Sequence, residues 1–271
     1  MKVKEIPSSL YYTAKLANIP AKKIKQKKSN NLPVIVSLTT IPYRLNKVHI
    51  TVRCLLSQTK QPEKVVLWLH ESLKNQIPNS LKILEGAVFE IKYTVLDCPH
   101  VKLVPSLKTY PNSIIITSDD DFIYDKNWTS ILYETHLKHP KAIITNQSRP
   151  IRYDENGNVL PYKNWKYHNN ETDKKCTILA IGSSGTLYPP NSLDDQATNS
   201  DLFLKLSPKA DDLWFKAMAM LHNTEVIQTK NSKEPIPIAG TQKVSLKKEN
   251  ITNDKNKTQW EQLINYFNLK S

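Results

Sequence analysis

An unbroken apolar run, Ile114-Ile115-Ile116, passes through Thr117 and Ser118 into three consecutive acids, Asp119, Asp120 and Asp121. The isoleucines are β-branched and read as a buried strand. The acids then fall at its C-terminal end, where open α/β sheets bind their ligands. Adjacent carboxylates repel one another unless solvated or neutralised, so three beside a sheet call for a cation. A hard divalent ion, Mn2+ or Mg2+, takes oxygen ligands and leaves room for water and phosphate. Such an ion holding a diphosphate is one reading. An Asp-rich turn without a ligand is the other, because aspartate forms turns readily.

Around this run the chain alternates strand and helix patterns. Strands are predicted over 32–38, 64–69, 89–95, 113–117 and 142–145, with helices over 46–58, 78–84 and 127–138. That alternation predicts an α/β sandwich with a central, mostly parallel sheet. The second half is less regular. Asn156-Gly157-Asn158 is a hairpin turn, 182–190 is a glycine, serine and proline segment, and 211–221 is a strong helix. Past 229 a loop-dominated flap precedes a helix at 260–267. The expected division is a basic segment over 1–30, a catalytic domain over 31–228, and a C-terminal flap and helix over 229–271.

The chain of 271 residues is 39% hydrophobic and 23% charged, as expected of a soluble globular protein. No apolar stretch approaches the roughly 18–20 residues that span a bilayer, and no secretory signal is recognisable. Cys54, Cys98 and Cys176 are odd in number and scattered, which fits a reducing cytosol rather than a zinc or disulfide framework. The net charge of +13 is concentrated at the start, where Lys2, Lys4, Lys15, Lys22, Lys23, Lys25, Lys27 and Lys28 face one acid, Glu5. Such a segment suits an anionic membrane surface, or it is a solvated tail. A cytoplasmic protein at the inner face of the membrane, with no nucleic-acid partner, is the expectation.

A second acidic stretch is Ala210-Asp211-Asp212-Leu213-Trp214. One aspartate here can cap the helix, but a cap needs no second one, and a carboxylate at a helix start can also act as a general base. Gly182 and Gly185 are two of only five glycines. They mark either a ligand-side loop or a tight turn.

In this order the stretches VSLTTIPYRL (36–45), LLSQTKQPEKVVLWL (55–69), IIITSDDDFIYDKNW (114–128), GSSGTLYPP (182–190) and ADDLWFKAM (210–218) resemble the GT-A class of nucleotide-sugar-dependent glycosyltransferases. The similarity is greatest to bacterial enzymes that build capsule or lipopolysaccharide. The resemblance implies that Thr39, Thr40 and Arg44 cradle the nucleotide and that Asp119 and Asp121 are the outer members of an Asp-x-Asp motif. Asp121 would bind the metal, Asp119 the ribose or the metal shell, and Asp120 the sugar or a water. Asp212 matches the catalytic aspartate, with Asp211 as understudy. Lys102 and Lys108 would approach the donor, and His222 would be a further metal ligand. The implied reaction is inverting transfer from a nucleoside diphosphate sugar, a UDP-sugar by preference, to a glycan or glycolipid hydroxyl. Three other functions compete. A nucleotidyltransferase would normally carry a glycine-rich phosphate loop, and Leu32 to Leu45 has no glycine. A metal-dependent phosphohydrolase usually adds histidines. A basic nucleic-acid-binding module would leave both acidic stretches idle.

Overall fold

The computed structural model describes residues 2–165, 178–243 and 254–269. The chain opens with α1 (Ile6–Ala17) and α2 (Ala21–Ile24), then runs through β1 (Leu32–Thr39), α3 (Val48–Leu56), β2 (Pro62–His70), α4 (Asn79–Lys82) and β3 (Phe89–Thr94). Next come α5 (Val104–Thr109), β4 (Ile114–Thr117), β5 (Phe122–Ile123), α6 (Trp128–Lys138), β6 (Ile143–Thr145), β7 (Ser148–Pro150), β8 (Ile178–Ala180) and β9 (Thr186–Tyr188). The chain closes with α7 (Ser200–Leu206), α8 (Asp211–Leu221), β10 (Val226–Gln228), β11 (Ile236–Pro237) and α9 (Lys255–Phe267).

The main sheet has the order β10-β6-β9-β4-β1-β2-β3. β9 runs antiparallel to β4 and β6, while the other neighbouring pairs are parallel. Successive strand residues point to opposite faces, and this splits each strand between two cores. Ile116, Ile144 and Leu187 join the core under α3 and α6, while their neighbours Ile115, Ile143 and Tyr188 join the core under α8 and α9. Strands covered on both faces must be apolar throughout, which is why β1 and β4 read as unbroken runs. The architecture is an α/β/α sandwich.

β1 pairs with β2 on one side and with β4 on the other. The chain order reverses there and leaves a crevice beyond the carboxyl ends of β1 and β4, the usual ligand position in such sheets. Both the Thr40–Arg44 loop and the acid triplet leave the sheet into that crevice.

Two predicted irregular regions are regular in the structure. The 182–190 segment contains β9, an interior strand of the sheet. The basic lead contains α1, which packs against α3 and buries Ser9 and Leu16. The hairpin turn at Asn156-Gly157-Asn158 is present, with Gly157 at φ +81° and Tyr153 bridged to Val159. Cys54 and Cys98 are free thiols; Cys176 lies outside the described residues.

Candidate active site

The Ser118 amide donates to the Ser37 carbonyl at 3.1 Å, carrying the β1–β4 ladder one step past the strand end. The acids beyond it are held by the loop after β1. Arg44 ends a 3-10 turn opened by Pro42. Its Nη1 meets Asp120 Oδ1 at 2.6 Å and its Nη2 meets Asp121 Oδ2 at 3.0 Å. The Thr40 hydroxyl donates to the second oxygen of Asp120. A C-terminal strap over 229–243 covers the triplet from the other side. Gln242 Nε2 donates to Asp121 Oδ2 at 2.7 Å, and the Ile238 amide donates to the Asp121 carbonyl at 2.8 Å.

Lys102 joins the two acidic stretches. It ends the 3-10 turn Pro99–Lys102, and only 10% of its side chain is exposed. Its ammonium lies 3.1 Å from Asp119 Oδ1, 2.9 Å from Asp211 Oδ2 and 3.8 Å from Asp212 Oδ1. The segment that carries it is fixed from below, because Ser106 Oγ sits 2.7 Å from both the Trp68 indole nitrogen and the Ser37 hydroxyl.

The glycine segment closes the third side. The Gly182 amide donates to Asp212 Oδ2 at 3.1 Å. A Cβ at Gly182 would stand 2.5 Å from Asp212 Oδ1 and 2.7 Å from Lys102 Nζ, so only glycine lets the backbone come this close. Gly185 adopts φ +101°, and a Cβ there would strike the Trp128 ring, whose indole nitrogen donates to the Ser184 carbonyl at 2.8 Å. Tyr124 ties this segment to the triplet: its hydroxyl accepts from the Asp119 amide at 2.9 Å and donates to the Ser183 carbonyl at 3.2 Å.

Neither aspartate of α8 is its N-cap. Ala210 holds that position without a side-chain acceptor, so Asp211 and Asp212 occupy the first helical turn and their carboxylates are free for Lys102 and Gly182. The two differ in setting. Asp211 has 9% of its side chain exposed and Asp212 has 30%. Burial would raise Asp211, yet Lys102 holds it below the usual carboxylate range. Burial pushes Asp212 up to about 7; Lys102 opposes this and Asp211 adds to it. Burial, with Asp120 and Asp119 beside it, pushes Asp121 up to about 7 as well. Burial alone would lower Lys102, but Asp119, Asp211 and Asp212 keep its ammonium well above the ordinary range.

These shifts set the sign of a pH dependence. Asp121 and Asp212 ionise near 3.8 in the unfolded chain and near 7 in the fold, so between those values the fold binds more protons. Stability from these groups is therefore greatest in mild acid and falls as pH rises toward neutrality. Melting curves from pH 4 to 7 in chelator should show that decline, and Asp121→Asn should make it shallower. An unchanged slope in the variant contradicts the assignment.

Other predicted site residues lie elsewhere. His222 is the exposed C-cap of α8, its ring bonded to Thr224 Oγ1 at 3.0 Å. Ten residues of helix, about 15 Å, separate it from Asp212. Among the described residues it joins no cluster of three or more potential metal ligands. Lys108 is exposed on α5 and makes no contact with the acids. Thr39 commits its hydroxyl to the Trp68 carbonyl at 2.9 Å. Lys102 faces carboxylates on three sides rather than standing open to a donor. Gln242 and Tyr124 were not foreseen, because they carry no local sequence signal, whereas Gly182 lies in the glycine segment read as a ligand-side loop or a tight turn.

Acidic side chains outnumber basic ones at the site. Five carboxylates, Asp119, Asp120, Asp121, Asp211 and Asp212, are paired with two cationic side chains, Arg44 and Lys102. The neighbouring Ser118 Oγ is buried without a hydrogen-bond partner among the described residues. Among the described residues no three His, Cys, Asp or Glu side chains close around one point. A divalent ion held here would need water or phosphate oxygens to complete its shell, as Mg2+-type ions accept.

No family model matches the sequence, and no curated protein matches it. Among solved structures the chain is similar to 4-diphosphocytidyl-2C-methyl-D-erythritol synthase from Anaerococcus prevotii, with a TM-score of 0.49 and 13% identity over 82% of this chain and 94% of that one. It is also similar to mannosyltransferase PcManGT from Pyrobaculum calidifontis, solved in complex with GDP-Man and Mn2+, with a TM-score of 0.46 and 13% identity over 88% of this chain and 67% of that one. At such identity neither likeness speaks to the chemistry of the site.

Proposed function

We propose that this chain is a metal-dependent glycosyltransferase of GT-A-like fold, moving a sugar from a nucleoside diphosphate donor to a glycan or glycolipid hydroxyl. The observation that carries the reading is Lys102, which holds the triplet acid Asp119 and the α8 acids Asp211 and Asp212 around one ammonium. In this reading Asp119 belongs to the group that holds the diphosphate and Asp212 is the proton acceptor. The catalytic residues so assigned fall within 31–228, and the strap after 229 covers Asp121.

Asp119 and Asp121 would hold the divalent ion, which when bound neutralises charge on the departing diphosphate. Arg44 orients Asp120 and Asp121 through its two guanidinium contacts. Asp212 takes the acceptor's proton. Its Oδ2 is fixed by the Gly182 amide, it remains partly open to the crevice, and its affinity for protons near pH 7 matches a base working at neutrality. Asp211 is enclosed and neutralised by Lys102, so it serves as counter-charge. A base opposite the leaving group supports single displacement with inversion. The sequence resemblance favours a UDP-sugar.

Thermal shift against a panel of nucleotide sugars and nucleoside triphosphates, with and without Mn2+, tests this. A donor at a hundredfold its Kd contributes about 2.7 kcal/mol, or roughly 5–10 °C. One nucleotide sugar should give that shift with Mn2+ and lose it on chelation. Protection by triphosphates alone would assign the site to nucleotidyl transfer instead.

A further inference from the structure

α1 presents its apolar side away from the protein. The seam it turns inward is thin and partly polar: Ser9 and Leu16 are buried and Thr13 is half-buried. That seam is anchored by polar contacts. Ser9 Oγ accepts from the Ala239 amide at 2.9 Å, and Arg53 Nη1 donates to the Ile19 carbonyl at 2.6 Å. Flanking that seam, Val3 is 82% exposed, Leu10 56% and Tyr11 61%, with Ile6 also open. Steps of three, four and seven residues place Val3, Ile6 and Leu10 on one stripe. Lys4 and Lys15 border it, with Lys15 Nζ 6.0 Å from the Tyr11 ring, and Lys22 and Lys23 follow on α2, all exposed.

We propose that this face of α1 docks on an anionic lipid surface. The helix would lie in the interface plane, with Val3, Ile6, Leu10 and Tyr11 at the acyl boundary and the lysines among headgroup phosphates. Charge complementarity selects this occupant. The first thirty residues carry eight lysines against one glutamate. A second copy of the chain would bring those lysines against their equals. A nucleic-acid backbone would satisfy the lysines but leave the apolar stripe without a partner. No helix among the described residues is long and apolar enough to cross a membrane, so the contact proposed is peripheral. It does not depend on the reaction proposed for the crevice.

Co-sedimentation of the full chain with vesicles tests the surface. Phosphatidylglycerol-rich vesicles should pellet the protein, pure phosphatidylcholine vesicles should not, and added salt should weaken binding. The double variant Leu10→Ser/Tyr11→Ser should bind more than about tenfold more weakly at an unchanged melting temperature, because both side chains are exposed. Lys22→Gln/Lys23→Gln should lose about fivefold per lysine. Equal binding to both vesicle types, or full binding by the Leu10/Tyr11 variant, overturns the proposal. So does a wild-type dimer that this variant converts to monomer, which would assign the face to a second copy. A duplex-DNA gel shift without vesicle binding overturns it in favour of nucleic acid.

Discussion

Asp212→Asn should reduce sugar transfer by about 10²–10⁴-fold, the usual contribution of a positioned base, and leave donor binding intact. The substitution is nearly isosteric. An asparagine carbonyl can still accept the Gly182 amide, so the helix start and the glycine segment keep their places. What disappears is the capacity to take a proton. The variant also removes one of three carboxylates gathered on Lys102, so its melting temperature should hold or rise. In steady-state kinetics kcat falls while the donor KM stays near its wild-type value, the pattern of an interaction made only in the transition state. Mn2+-dependent thermal protection by the donor should survive. Near-normal turnover in Asp212→Asn would remove this residue from the chemistry.

Lys102→Met should be the most damaging single change to the fold. Three carboxylates would lose the cation between them, and breaking a buried pair by deleting one partner costs about 3–5 kcal/mol. For a chain of this size that is a drop of roughly 10 °C in melting temperature. The deficit should depend on pH in a definite sense. Without the ammonium, the acids are ionised unfavourably in the fold, so the variant recovers toward wild type as pH falls and the carboxylates protonate. A second substitution, Asp211→Asn, removes the most enclosed of the stranded charges and should restore part of the loss, a coupling a double-mutant cycle measures. A melting temperature unchanged by Lys102→Met would show that the ammonium does not hold the two acidic stretches together.

The central sheet was legible because β1, β2 and β4 are covered on both faces and therefore appear as contiguous apolar runs. α8 was legible from its acidic start and helical spacing. β9 was not. Thr186, Leu187 and Tyr188 make a strand too short to show a period, and Gly185 and Pro189 disguise it as a turn. α1 was missed for a different reason: its seam toward the protein is partly polar and its apolar side faces out, which inverts the usual pattern. In the site, the acid triplet and Asp212 stood out as charges at element ends. Lys102 acquires its place only through tertiary packing, since one lysine among thirty-eight basic residues carries no local mark. His222 lies at the far end of α8 from Asp212, a separation that the helix sets and the sequence spacing does not display.

The strap has a consequence for biogenesis. Asp121 is gripped by Gln242, 121 positions further along, and the Ala239 amide reaches back 230 positions to Ser9. During translation the sheet can begin to assemble as soon as β1 to β4 have emerged, but these closing bonds wait until Ala239 and Gln242 have followed. Until Gln242 has emerged, a nascent chain therefore carries its crowded acids uncovered by the strap.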